Sequence, residues 1–290
     1  MYRPSLKSDR SLIILLILAI VLFYIAQSSY LHIKSDNYEL KIAAANLMKA
    51  SIDSLTAEIN RRGIEIDPID DPLKTGLIGN RLSSITTDRG LLSEKQAAIN
   101  PNISAIFVEE LSKLKLMPGD CIAVGITGSN PAVNIALYSA IQVMELNPKI
   151  VVSLSSASYG ANRPELTWLD MENILKEKGL INFKSAYASF GGKEDLGIGL
   201  SDNGIKALRD AMQRNNVPLL IGNNLDDNIS LRMAAYDEML PEGQRYKAFI
   251  NIGTGIANVG SEPNANLIPE GINRNLAEHS YEKEGVMIKM

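Results

Sequence analysis

Beyond Gly90 the sequence repeatedly passes from a short apolar run, through a small-residue turn, into a helix-length amphipathic stretch. The segment "GDCIAVGITGSNPAVNIALYSAIQVMEL", residues 119–146, shows all three parts in order. Strands are expected at 121–126, 150–154, 185–189, 217–221 and 248–252, and helices near 131–146, 166–178, 201–214 and 228–239. Near-continuous apolar strands separated by helix-length segments predict a mostly parallel sheet covered on both faces. Right-handed crossovers then give a doubly wound, Rossmann-like α/β domain. The domain is expected over 91–290, where 46% hydrophobic content in 290 residues supplies enough core.

In such a domain ligands gather beyond the carboxyl ends of the strands. The first strand is followed there by Thr127, Gly128, Ser129, Asn130 and Pro131. The next is followed by "SSASYGANRPEL", with Ser156, Ser158 and Arg163. Further on come "FGGKEDLGIG", with Gly191, Gly192 and Asp195, and "GTGIANVGS", with Gly253, Thr254 and Gly255. Converging loops of this composition offer hydroxyls and backbone N–H groups. Asn130 or Ser129 as cap, with Pro131 at the first helical position, exposes a helix N-terminus, which favours a phosphate or carboxylate. Each such loop alone is also what an ordinary capped helix looks like. Arg163 and Arg89 are candidate carboxylate clamps, because a guanidinium fork matches two carboxylate oxygens.

The first ten residues, "MYRPSLKSDR", carry Arg3, Lys7 and Arg10 against Asp9. An uncharged stretch follows, "SLIILLILAIVLFYIAQSSY", residues 11–30. Its length suits a membrane-spanning helix, and the basic flank predicts a cytoplasmic N-terminus. The chain therefore reads as a single-pass cell-membrane protein: a basic tail at 1–10, a signal anchor at 11–30, and an extracytoplasmic remainder. A cleaved signal peptide is the competing reading, with Ala26 and Ser28 as its small residues, but "AQS" makes a poor cleavage site. A buried N-terminal helix in a cytoplasmic protein is a third. Residues 31–90 read as a helix and connecting loop. Leu40, Ala44, Leu47, Ser51, Leu55 and Ile59 form one apolar stripe, fit either for a dimerising stalk or for packing on the chain's own domain.

Several chemistries fail on spacing. The pI near 5.4 argues against nucleic acid as a partner, because neutralising phosphates needs a basic face. One cysteine, Cys121, and two distant histidines, His32 and His279, argue against zinc and against a Ser–His–Asp triad. Asp67, Asp70 and Asp71 lack calcium-loop spacing and sit in proline turns. The strings "SKLK" at 112–115, "SDN" at 201–203 and "KTG" at 74–76 occur in the wrong order for penicillin-binding enzymes. Acid–base work by Asp195, Glu165 or Asp170 has no spacing to support it. No cofactor is implied. Ser129 and Thr127 are the only candidate nucleophiles, and neither has an expected base.

The strings "AANLMKASIDSLTAEINRRGIEIDPIDDP", "ITTDRG", "GDCIAVGITGSNPAVNIALYSAIQVM", "SASYGANRPELTWLDMENIL" and "NIGTGIANVGSEPNANLIPEGIN" resemble the family named poly-γ-glutamate system protein. The resemblance runs from the apolar segment almost to the C-terminus. It implies a membrane partner of the machinery that makes and exports poly-γ-glutamate, and the first hypothesis for such an accessory protein is that its strand-end loops bind the carboxylates of the glutamyl polyanion. It carries over no catalytic residue. It also implies further segments beyond the closing "EGVMIKM", which reads as the start of a strand, and so a C-terminally shortened copy with an unpaired sheet edge. Beside this accessory role stand a γ-glutamyl hydrolase or transferase using Ser129 or Thr127, and a structural assembly partner.

Overall fold

The computed structural model describes residues 8–29, 34–260, 271–273 and 287–289. It forms two compact units, Met1–Tyr38 and Glu39–Met290. The first holds α1 (Asp9–Ser28), whose mean hydropathy is 2.5 and which buries none of its residues. By length and composition it can cross a membrane. Most of the tail at 1–10 lies outside the described residues.

The second unit is mixed α/β. It begins with α2 (Tyr38–Arg61), then β1 (Thr86–Asp88), α3 (Leu92–Ala98) and α4 (Ile103–Ser112). Next come β2 (Cys121–Thr127), α5 (Pro131–Val143), β3 (Asn147–Ser153), β4 (Ser156–Ala157), β5 (Asn162–Arg163), β6 (Leu166–Thr167) and α6 (Trp168–Glu177). The chain continues through β7 (Tyr187–Ser189), α7 (Asp202–Arg214), α8 (Leu225–Met239), β8 (Ala248–Asn251), α9 (Ile256–Val259), β9 (Gly271–Asn273) and β10 (Met287–Lys289). The main sheet has six strands in the order β7-β3-β2-β8-β10-β9. All neighbours are parallel except β9 and β10. Small pairs β1–β4 and β5–β6 lie beside it.

Two expectations shift. Residues 217–221 make only a single parallel bridge, Ala188 to Leu219, because Pro218 has no N–H to extend the ladder. Residues 31–90 are not a segment apart from a domain at 91–290. Ala44, Met48, Ile52, Leu55 and Ile59 of α2 join the same core as β2, β3 and α5. An amphipathic helix of this length gains more from burying its stripe on its own sheet layer than from standing free in water.

The two faces of the sheet differ, and that difference places the site. Side chains alternate along a strand. Ile122, Val124, Ile126, Ile150, Val152 and Ile250 enter the large core. On the other face Ala123, Val151 and Phe249 meet Ala235 and Tyr236 of α8. Toward the carboxyl end of that second face the paired residues turn small and polar: Gly125 beside Asn251, then Thr127 beside Ser153 and Ser153 beside Ser189. Gly125 has to be glycine: a Cβ there would lie 2.5 Å from the Asn258 amide nitrogen. Gly125→Val is expected to destabilise the unit by about 1–3 kcal/mol through overpacking, read as a lowered denaturation midpoint. An unchanged midpoint would show that Asn258 can move aside.

Candidate functional site

A cleft of about 800 Å³ opens at the carboxyl edge of the sheet. Thr127 ends β2, Ser153 ends β3, and Ser155 and Ser129 sit on the loops just beyond. Gly192, Lys193 and Glu194 come from the loop after β7, and Thr254, Gly255 and Ile256 from the turn after β8. Thr87 and Asp88 of β1 and Leu225 at the start of α8 complete the wall. The lining is thus rich in hydroxyls, with Lys193, Asp88 and Glu194 as its charged groups.

The loops anticipated from sequence do meet here. Thr127, Ser129, Gly192, Thr254 and Gly255 line the cleft. The Thr127 hydroxyl accepts a hydrogen bond from Ser129 N at 3.3 Å, and the Ser129 hydroxyl accepts from Ala157 N at 3.0 Å. Asn130 caps α5, its side chain accepting from Val133 N at 3.4 Å. Gly128, Ser156, Ser158, Gly191 and Gly253 build the walls from behind. Gly128 O accepts from Ala161 N and from the Ser156 hydroxyl, at 2.8 and 3.0 Å. The Ser158 hydroxyl donates to Asp88 O at 3.4 Å. Gly253, with φ +87°, packs against Thr127. Gly191, with φ +77°, lies so close to Ser155 that a Cβ would meet its hydroxyl at 2.5 Å.

Arg163 is elsewhere. Its guanidinium is buried and donates to the carbonyls of Gly76 and Glu65, at 3.0 and 3.3 Å. Backbone carbonyls in an otherwise closed loop need a donor, and Arg163 supplies it. Arg89 is exposed and outside the lining. Asp67 and Asp71 are turn residues: Asp67 accepts from Ile69 N, and Asp71 from the Thr75 hydroxyl and Gly76 N. Asp170 closes a capping box on α6 and pairs with Arg214. His32 and His279 lie outside the described residues.

Beneath the cleft lies a group that sequence reasoning missed. Arg232 of α8 and Asp195 are 2% and 1% exposed and form an ion pair of 2.8 Å. Arg232 Nη2 also donates to the hydroxyls of Ser153 and Ser189, at 2.8 and 2.7 Å, and Nη1 donates to Asn258 Oδ1 at 2.8 Å. Both serine hydroxyls donate to Asp195 Oδ1, at 2.8 and 2.7 Å. Position along α8 explains the arrangement. Ala235 and Tyr236 cover the apolar part of the face, and Arg232, one turn nearer the N-terminus, covers the polar part. Asp195 reaches the guanidinium because its loop takes left-handed backbone at Glu194 and Asp195, φ +55° and +63°. Such conformations persist only where tertiary contacts hold them. The pair therefore fixes the loop that carries Lys193 and Glu194. It also fixes Ser153, the member of the network that lines the cleft. Asp195 is the one acid named from sequence that lies at the site, and its oxygens are already committed to Arg232 and the two hydroxyls.

Comparison of the chain with family profiles, with curated proteins and with solved structures found no match.

Proposed function

We propose that this chain is a membrane-anchored accessory protein of poly-γ-glutamate synthesis or export, binding glutamyl chains in the cleft outside the cell. In this reading α1 is an uncleaved signal anchor with its N-terminus in the cytoplasm. The α/β unit is a Rossmann-like, doubly wound domain. The strand order supports that winding, because β3 and β7 extend to one side of β2 and β8 lies on the other.

The observation that carries the reading is the makeup of the cleft. Hydroxyls converge at the carboxyl ends of parallel strands, and Lys193 stands with Asp88 and Glu194 around them. A glutamyl chain end carries an ammonium as well as carboxylates, so charges of both signs suit it. Binding is favoured over hydrolysis by the hydroxyls themselves. Among the described residues no carboxylate or imidazole hydrogen-bonds to Ser129 or Thr127, and a serine or threonine nucleophile needs a base.

The test uses the full chain in detergent with defined γ-linked glutamate oligomers. Calorimetry is expected to show binding that weakens as salt rises. Ser129→Ala and Thr127→Val should each weaken it by roughly tenfold, about 1.4 kcal/mol of hydrogen bonding. Mass spectrometry of the same samples is expected to find oligomer length unchanged. Shortened oligomers would overturn the accessory role in favour of a γ-glutamyl hydrolase, and no binding would leave only an assembly role.

A further inference from the structure

A hydroxyl has one proton and two lone pairs, so its bonds within the chain decide what it can still offer a ligand. Thr127, Ser129 and Ser153 all line the cleft. Thr127 and Ser129 each accept from a backbone N–H, and among the described residues neither donates. Their protons are unspent. Ser153 is the reverse. Its proton goes to Asp195 Oδ1 at 2.8 Å, and one lone pair takes Arg232 Nη2 at 2.8 Å. The Ser189 hydroxyl is 3.4 Å away, but its single proton has the nearer acceptor in Asp195 Oδ1, at 2.7 Å. Ser153 can therefore only accept, through its second lone pair. Its neighbours also select the donor. A cation at this oxygen would meet the Arg232 guanidinium at short range, in a site where Ser153 is 2% exposed and water screens little. A neutral N–H meets no such repulsion.

We propose that Ser153 is a specificity-determining acceptor that reads the amide N–H of a γ-glutamyl linkage, with Thr127 and Ser129 donating to oxygens of the same ligand. This rests on the glutamyl-binding reading and adds to it that the cleft recognises a linkage of the polymer as well as its charges. A site built to bond an N–H rejects an analogue that lacks it, because the buried acceptor is then left unpaired. Ser189 supplies an internal control. It makes the same two bonds, to Asp195 and from Arg232, both at 2.7 Å, but it is 0% exposed and outside the lining.

The test is calorimetry of the full chain in detergent with a short γ-linked glutamate oligomer and its ester counterpart. In the ester each amide N–H is replaced by oxygen, while the terminal ammonium and every carboxylate are kept. The unaltered protein is expected to bind the ester about tenfold more weakly than the amide. Ser153→Ala should bind the amide about tenfold more weakly than the unaltered protein does, and should no longer distinguish the two ligands. Ser189→Ala should keep the preference for the amide. Equal binding of amide and ester by the unaltered protein overturns this assignment and leaves the glutamyl reading standing. So does a preference lost equally in Ser153→Ala and Ser189→Ala, which would assign it to the network as a whole. Absence of oligomer binding overturns both readings. Should Ser153→Ala fail to fold, the amide and ester affinities of the unaltered protein and of Ser189→Ala still decide.

Discussion

Arg232→Met is expected to lower the stability of the α/β unit by about 3–5 kcal/mol, because it leaves the Asp195 carboxylate buried without its counter-charge. The magnitude follows from the surroundings. Both groups are sealed from water, and the serine hydroxyls that share them cannot replace a full charge. Asp195→Ala should cost a similar amount, now stranding the guanidinium. Asp195→Leu combined with Arg232→Met removes both charges and should be closer to the unaltered protein than either single change. Denaturant unfolding of the full chain in detergent measures all three. A double variant whose loss equals the sum of the singles would show that the two residues act independently. Even where the double variant folds, oligomer binding should stay weak, since Ser153 and the Lys193 loop lose the groups that hold them.

The second large effect concerns Glu172, which forms no ion pair among the described residues, although the charge of Lys184 acts on it from a distance. Glu172 is 2% exposed and accepts from the Tyr138 hydroxyl at 2.5 Å, from Ser185 N at 2.9 Å and from the Ser185 hydroxyl at 2.8 Å. Desolvation raises its pKa above the ordinary 4.5, although the bonds from Tyr138 and Ser185 and the charge of Lys184 act the other way. Tyr138 is pushed up as well, by desolvation first and then by the neighbouring carboxylate. A carboxyl with a raised folded-state pKa holds its proton where the unfolded chain has already lost it. This contribution to stability is therefore complete below pH 4.5 and declines as pH rises through the raised value. Glu172→Gln should flatten that decline, seen in denaturation midpoints taken from pH 4.5 upward. Glu172→Ala should destabilise at every pH, by about 1–3 kcal/mol for the orphaned Ser185 N–H alone. A Glu172→Gln profile parallel to that of the unaltered protein would mean that Glu172 does not titrate in this range.

Much of this protein is legible in its sequence, and for identifiable reasons. Residues 11–30 announce α1 by length and absence of charge. The run from Cys121 to Thr127 announces a fully buried strand, and Asn130 with Pro131 announces the helix after it. The loops holding Thr127, Ser129, Gly192, Thr254 and Gly255 could be assigned to one edge because parallel strands put their carboxyl ends together. These are local or periodic signals, which propensity and burial alone enforce.

Other features depend on contacts between distant segments. Arg232 lies in "SLRMAAYDEM", where an arginine reads as a solvated helix residue. Only the docking of α8 on the second face of the sheet buries it against Asp195, Ser153 and Ser189. Arg163 looked like an exposed clamp and is instead consumed by carbonyls of a loop some ninety residues earlier. The sequence by itself determined the anchor-like helix, the parallel sheet and the edge where a ligand can sit. The tertiary structure decided which charges face that edge, because desolvation and counter-charge are set by neighbours that no local pattern records.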